Sequence, residues 1–424
     1  MTIRTKSRRP LRRRCAVALA SVTCAALVGT AATASPLTFA EALDRARANA
    51  PSLRAKELAI DAARAARGAA GALPDPTLGV SVDSFPISGP LAFEPNRDNF
   101  TWVKVEASQA IPNLAKRHAE QARADADIVT ARAASAITGR NVEVATAIAW
   151  IDLAFAERRV AALDDVLGRL DKIVRSSKTA IGSGSARPAQ IIAGEEAIAK
   201  LQDRRSVLVS DVATARAALT RWTGDPDADV AGSVPNFEVD PAMLRAALDD
   251  HPTIRAADAK DRQADASVRI AEADRRPDFG INLAYQHRDP RFGDYVSAGV
   301  TIGLPIFTRH RQDARIAASQ AEAAAADAER EDARRALADA LAADLADHAM
   351  HHEQWVRSRD TLEPLAEQRL KLETASYAAG RASLVDIADA HAALADSVLT
   401  TLDREALVAV DGARLVLTYR SDNQ

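Results

Sequence analysis

Cysteine is almost missing from this 424-residue chain; Cys15 and Cys24 are its two examples, and both lie in an N-terminal segment that reads as a secretory leader. Arg4, Lys6, Arg8, Arg9, Arg12, Arg13 and Arg14 form a basic start, Ala16 to Val28 a short apolar run, and Ala32-Thr33-Ala34 a cleavage pattern before Ser35. Residues 1–34 are therefore expected to be removed. The mature chain would then hold no thiol, disulfide or cysteine metal site, although it enters an oxidising compartment. A second reading lipidates Cys24, for which Ser21-Val22-Thr23 is a poor lipobox. Methionine is scarce too: of three, one is the initiator, so no Met-rich copper site exists. After the leader no run of about 18 apolar residues occurs, which excludes a spanning helix. Losing the basic leader leaves the chain acidic, which argues against nucleic acid as a partner. No Ser/His/Asp or Cys/His order and no phosphate-cradling glycine loop is present, so an enzyme reading has little to stand on.

What is abundant is alanine, with Glu, Asp and Arg around it and only 4% aromatic residues, a mix that points to long helices rather than a compact globule. The chain also says nearly the same thing twice. Asn49-Ala50-Pro51-Ser52-Leu53-Arg54-Ala55 matches Asp250-His251-Pro252-Thr253-Ile254-Arg255-Ala256. Pro76, Leu78, Gly79 and Val80 align with Pro277, Phe279, Gly280 and Ile281, and Gly184, Ala186 and Ile191 with Gly380, Ala382 and Ile387. A repeat of roughly 200 residues is too long for a solenoid unit and reads as a duplicated half-molecule. The expected organisation is a first repeat over 35–222, a turn-rich connector over 223–240 and a second repeat over 241–424.

Each repeat changes period. Thr38 and Glu41 form a capping box before a first helix, and Pro51 starts a second. Alternation of period two then appears at about 77–109 and again at about 279–304, with Leu78, Val80 and Val82, or Phe279, Ile281, Leu283 and Tyr285, on one face. Strands of this kind suit either a half-buried soluble sheet or a transmembrane barrel. Four strands cannot close a barrel alone, so a barrel reading requires several copies. Phe100, Trp102, Phe279, Tyr285 and Tyr295 lie near strand ends, where an aromatic girdle belongs. Pro112 and Pro305 then open hairpins at about 113–222 and 309–419, whose first helices would each be roughly 100 Å long. Such helices need partners along their length.

This order resembles the TolC family of outer-membrane efflux proteins over the whole mature chain. Gly184 and Gly380 match the family's hairpin-tip glycines, and Gly380-Arg381-Ala382-Ser383-Leu384-Val385-Asp386-Ile387-Ala388-Asp389 its tip segment. Ala72-Leu73-Pro74-Asp75-Pro76-Thr77-Leu78 and the tract from Trp102 to Pro112 look most like the heavy-metal branch related to CzcC and CusC. The implied fold is α+β but mostly α: duplicated long helical hairpins forming a trimeric α-barrel, with four strands per chain in a shared twelve-stranded transmembrane β-barrel. The implied activity is passive conduction of heavy-metal cations in the Gram-negative outer membrane. The implied partners are two further copies, outer-membrane lipid, a periplasmic adaptor and an inner-membrane RND pump; no cofactor is implied. Drug or type I polypeptide export, and a soluble periplasmic coiled-coil scaffold, are the alternatives.

Asp386 and Asp389 share a helix face and would ring the periplasmic aperture, favouring cations; the plainer reading is acids suited to a helix N-terminus. By family position Tyr377 and Gln190 face each other across neighbouring hairpins as a latch, with Gln190 where an acid is often found. Gly184 and Gly380 would supply the tip turns and let an adaptor approach closely. Asp344, His348 and His352 lie on one helix face as metal candidates, beside His351, although a polar inter-helix stripe is the commoner use of such a pattern.

Overall fold

The computed structural model describes residues 36–179 and 188–420. The leader, the Gly184 turn and the last four residues lie outside them. The described elements run in the following order. Helices α1 (Phe39–Asn49) and α2 (Pro51–Ala69) precede strands β1 (Thr77–Asp83) and β2 (Trp102–Ile111) and helices α3 (Leu114–Thr179) and α4 (Pro188–Thr223). Then come α5 (Pro241–Ala246), α6 (Pro252–Ala273), β3 (Asp278–His287), β4 (Tyr295–Gly303), α7 (Gln312–Arg357), α8 (Glu363–Ala378) and α9 (Leu384–Tyr419).

The four strands form one antiparallel sheet in the order β1-β2-β3-β4. Its register stacks like with like: Leu78 lies beside Ala107, Ala107 beside Leu283 and Leu283 beside Ala298. Val80, Val105, Tyr285 and Val296 make the next row, and Ile111, Phe279 and Ile302 a row at the helical end. Leu78, Val80, Leu283, Val296, Val300 and Ile302 are all exposed, so no described residue covers this apolar face. The other face is small or polar. There Lys104 lies 3.1 Å from Glu106, the Asn282 amide donates to Glu106 at 3.2 Å, and Gln286 donates to Ser297 at 2.9 Å. At the far end of the sheet, Arg288 ties the two strand connections together. Its guanidinium donates to the carbonyls of Gly293 (2.6 Å) and Asn99 (3.0 Å) and lies 4.2 Å from the Tyr295 ring centre.

All helices leave from the opposite end of the sheet. Residue 71 sets the exit of the first pair: α2 stops at Ala69, a little before Pro74, because Gly71 turns the chain at φ +67°. The Arg117 side chain of α3 donates to the Gly71 carbonyl at 2.6 Å. Further along, α3 packs on α6, α4 and α9. At the middle of the bundle the core is Leu37, Trp150, Phe155, Leu219 and Ala413, with Phe39 and Phe237 against it. The connector straps this waist: Leu37 N–H donates to Asp229 O at 2.8 Å, and Trp150 Nε1–H to Leu37 O at 2.8 Å. A second core toward the tip gathers Leu163, Leu170, Val174, Ile191, Leu384 and Leu394. Here Gly194 of α4 admits Val174, whose methyl would sit 2.9 Å from an added Cβ.

The second long helix is not a plain α-helix. Between α7 and α8, residues Ser358–Leu362 form a π turn, with the Glu363 N–H reaching back to Ser358 O. Pro364, in the first turn of α8, is the physical reason. Proline cannot donate to the preceding turn and its ring crowds the carbonyl four residues back; one residue of π geometry makes room. Arg404 of α9 serves the opened backbone, donating to Gln354 O at 3.2 Å and to the Ser358 hydroxyl.

Candidate functional site: the hairpin tip and the sheet

Asp386 stands at the third position of α9 because Ser383 caps that helix. Ser383 N–H and Oγ–H each reach Asp386 Oδ2 at 2.8 Å, and Asp386 N–H returns to Ser383 Oγ at 3.3 Å. This reciprocal box satisfies two donors that a helix start leaves open. The hydrogen bonds from the Ser383 backbone and hydroxyl hold the exposed Asp386 carboxyl below the usual carboxylate range. Asp386 thus carries the plainer role, a helix-start acid, in addition to any role at an aperture. Asp389 lies exposed one turn on. It contributes to the raised pKa of Lys200 on α4, behind the larger effect of Glu196 at 2.7 Å. The two carboxylates share a face beside Val385, which is also exposed.

Tyr377 ends α8 just before the turn. Its ring packs on the tip core, and its hydroxyl shares a 2.8 Å hydrogen bond with Ser177 Oγ at the end of α3. Gln190 is half-buried in the first turn of α4, next to the buried Ile191. Within one chain, then, the phenol is bonded to Ser177, a partner that local spacing does not reveal. Gly380 turns at φ +70°, with Gly380 N–H on Tyr377 O and Arg381 N–H on Ser376 O, both at 2.8 Å. Its matching glycine, Gly184, lies outside the described residues.

His391 is another tip residue that patterning did not flag. It is 2% exposed on α9, and neither ring nitrogen has a partner. Burial, with Arg169 adding to it, pushes its pKa down and keeps the imidazole neutral.

The histidine stripe of α7 does not converge on a metal. Asp344 accepts the Tyr419 hydroxyl at 2.9 Å. His351 takes the nearby carboxylate, Asp411, at 2.6 Å. His348 and His352 stack loosely, their ring centres 6.4 Å apart, and His352 meets Trp355 edge-on at 5.6 Å. Among the described residues no group of three or more His, Cys, Asp or Glu side chains is placed to hold a metal ion. Asp344 and His351 join α7 to α9, while the contacts of His348 and His352 lie along α7 itself.

No helix among the described residues is long and apolar enough to cross a membrane. The sheet has one apolar and one polar face and, among the described residues, two edges left to pair.

Residues 243–417 match the family described as outer membrane efflux protein. No curated protein sequence matches the chain. Among solved structures, the fold is similar to that of a membrane protein from Pseudomonas aeruginosa, at TM-score 0.78 and 17% identity over 90% of each chain. It is also similar to CusC, described in terms of folding and transmembrane channel formation, at TM-score 0.76 and 17% identity over 90% of this chain and 92% of that one. The CmeC outer membrane channel of Campylobacter jejuni matches at TM-score 0.76 and 13% identity, over 90% and 85%. At such identities what is shared is the fold: mostly helical, with one four-stranded sheet.

Proposed function

We propose that this chain is one protomer of a trimeric outer-membrane efflux conduit. Three sheets would close a twelve-stranded barrel, and three sets of hairpins would extend it as a periplasmic tunnel. One observation carries the reading: the sheet turns a continuous apolar face outward and leaves β1 and β4 as open edges. In water, such a face and such edges are liabilities. In lipid, with neighbours at both edges, they are what a barrel requires. A soluble scaffold has no use for them.

The cargo reading is heavy-metal cations handed over by a periplasmic adaptor and an RND pump. It is supported by the tracts at Ala72–Leu78 and Trp102–Pro112 and by the likeness to CusC. Asp386 and Asp389, exposed on one face of α9, would stack as two carboxylate rings near the tip. Tyr377 and Gln190 would meet a neighbouring hairpin when the tip is closed, and Gly380 with Gly184 would mark the turns an adaptor approaches. No cofactor and no resident metal enters this scheme; the protein conducts.

The test is growth of a deletion strain, with and without the gene restored, across copper, silver, zinc, cobalt and cadmium and a panel of drugs and bile salts. It is read alongside outer-membrane fractionation and the oligomeric state in detergent. Restored tolerance to one metal names the cargo. Drug sensitivity alone keeps the conduit and removes the metal reading. A monomer that fractionates with soluble periplasmic proteins sinks the conduit itself.

A further inference from the structure

The connection from β4 to α7 continues the apolar face past the last strand row and then turns abruptly cationic. Leu304, Ile306 and Phe307 are 63%, 71% and 83% exposed. Arg309, His310 and Arg311 follow at once, all exposed. The register pairs Gly303 with Asp278, so Arg276 enters the sheet beside the point where Leu304 leaves it. Arg309 and Arg311 thus follow the Ile111–Phe279–Ile302 row along the chain, and the pair of Asp313 with Arg275 brings their turn beside Arg276, which also lines the groove between α3 and α6.

Two acids of this collar, Asp274 and Asp313, are already engaged. Asp313 receives Arg275 at 2.7 Å and the Thr308 hydroxyl at 3.4 Å. Asp274 holds Lys116 at 2.9 Å and Arg315 at 3.8 Å. Among the described residues, Arg276, Arg309 and Arg311 have no acidic partner. Apolar side chains first and unpaired cations next is the order of a bilayer leaflet, acyl chains and then phosphates.

We propose that residues 304–311, with Arg276, form a binding surface for anionic phospholipid in the inner leaflet of the outer membrane. Leu304, Ile306 and Phe307 enter the acyl boundary while Arg276, Arg309 and Arg311 hold the headgroup phosphates. This rests on the reading of the sheet as membrane-spanning. A second copy is the competing occupant, and charge argues against it. The β1 edge that would meet β4 is entered through Leu73-Pro74-Asp75-Pro76, which offers one carboxylate against three arginines. A zwitterionic lipid carries its own ammonium beside the phosphate, whereas phosphatidylglycerol leaves its charge for the protein. Each arginine at a membrane surface is worth roughly fivefold in partition.

The experiment equilibrates the full-chain protein in detergent with equal amounts of phosphatidylglycerol and phosphatidylcholine, repurifies it and quantifies the lipid retained. Wild type should keep phosphatidylglycerol over phosphatidylcholine by at least roughly fivefold. Arg309→Gln with Arg311→Gln should bring the ratio close to one. Arg309→Lys with Arg311→Lys should keep most of it, since a point charge still serves a phosphate. Arg369→Gln, on α8 far from the sheet, should change nothing. Wild type without preference, or a glutamine pair that retains it, overturns the site. So does a glutamine pair that falls apart into monomers, which would assign the loop to contact between copies. If the wild type inserts into bilayers and conducts yet shows no preference, the conduit stands and the lipid site falls; a chain that never enters bilayers ends both.

Discussion

Single residues decide how the helices meet the sheet and how the waist responds to pH. An alanine at position 71 would put its Cβ 2.5 Å from the Arg117 carbonyl, at a φ of +67° that side chains avoid. Backbone cannot yield as a side-chain end would, so Gly71→Ala should lose more than the roughly 1 kcal/mol of a left-handed alanine alone. Gly380→Ala, with open space around it, should lose only that strain. Thermal unfolding followed by circular dichroism ranks the two; equal losses would mean the Arg117 contact is slack. At the waist, Glu157 is pushed up to about 7, chiefly by burial and then by sharing a proton with Asp229. Burial also works against the Asp229 charge, but hydrogen bonds from Glu157 and the Val230 N–H, with Arg216 at 3.4 Å, hold it below its usual range. The sign follows from the raised pKa. An unfolded glutamate releases its proton near 4.5, while the folded one keeps it to about 7. Stability therefore falls as pH rises through that window, and the deficit is complete above it. Glu157→Gln keeps the hydrogen bond without the charge. It should melt higher than wild type at pH 8 and equal to it at pH 4.5; a difference independent of pH would rule out the shared proton.

At the scale of elements, the α7–α8 junction shows what patterning reads and what it misses. The fold class was legible because its signals are repeated many times: alternation in four strands, helical period over dozens of residues, and proline or glycine at the breaks. The π turn at Ser358–Leu362 was not legible. Pro364 warns of a break, but whether the helix ends or bulges depends on Arg404, which lies forty positions later and meets Gln354 only in the fold. Removing that guanidinium leaves a backbone carbonyl less well served. Arg404→Ala should speed amide exchange over 358–364 roughly tenfold, in line with one lost hydrogen bond, while the two ends of the helix pair keep their protection. Uniform acceleration along α7 and α8 would instead mean global loosening. The candidate site was legible only as far as local spacing goes. Asp386 reads by sequence as an acid at a helix start, whereas its box with Ser383 appears only in the fold. The Tyr377–Ser177 bond and the buried His391 join residues far apart in the chain, and nothing in the local pattern marks them.

At the scale of the whole molecule, the aperture role proposed for Asp386 and Asp389 exists only in the proposed assembly. Asp386→Ala with Asp389→Ala in the reconstituted conduit should move the reversal potential toward weaker cation preference. Ser383→Ala supplies the comparison, since it removes the cap, at about 1 kcal/mol of helix stability, and leaves both charges. A reversal potential that shifts equally in both variants would make the effect one of tip packing. The sheet, for its part, bears on the life of the protein before it works. In the proposed conduit, the rows Val80–Val105–Tyr285–Val296 and Ile111–Phe279–Ile302 would first cross an aqueous compartment to reach lipid. During that crossing the strands are sticky cargo in their own right, prone to zip onto any free edge they meet. The helices can form early from local contacts, but on that reading the strands must be kept apart until membrane and sister chains are both at hand. Delivery is then a race between escort and aggregation, and overproduction that outruns the escort should yield deposits seeded by these strands.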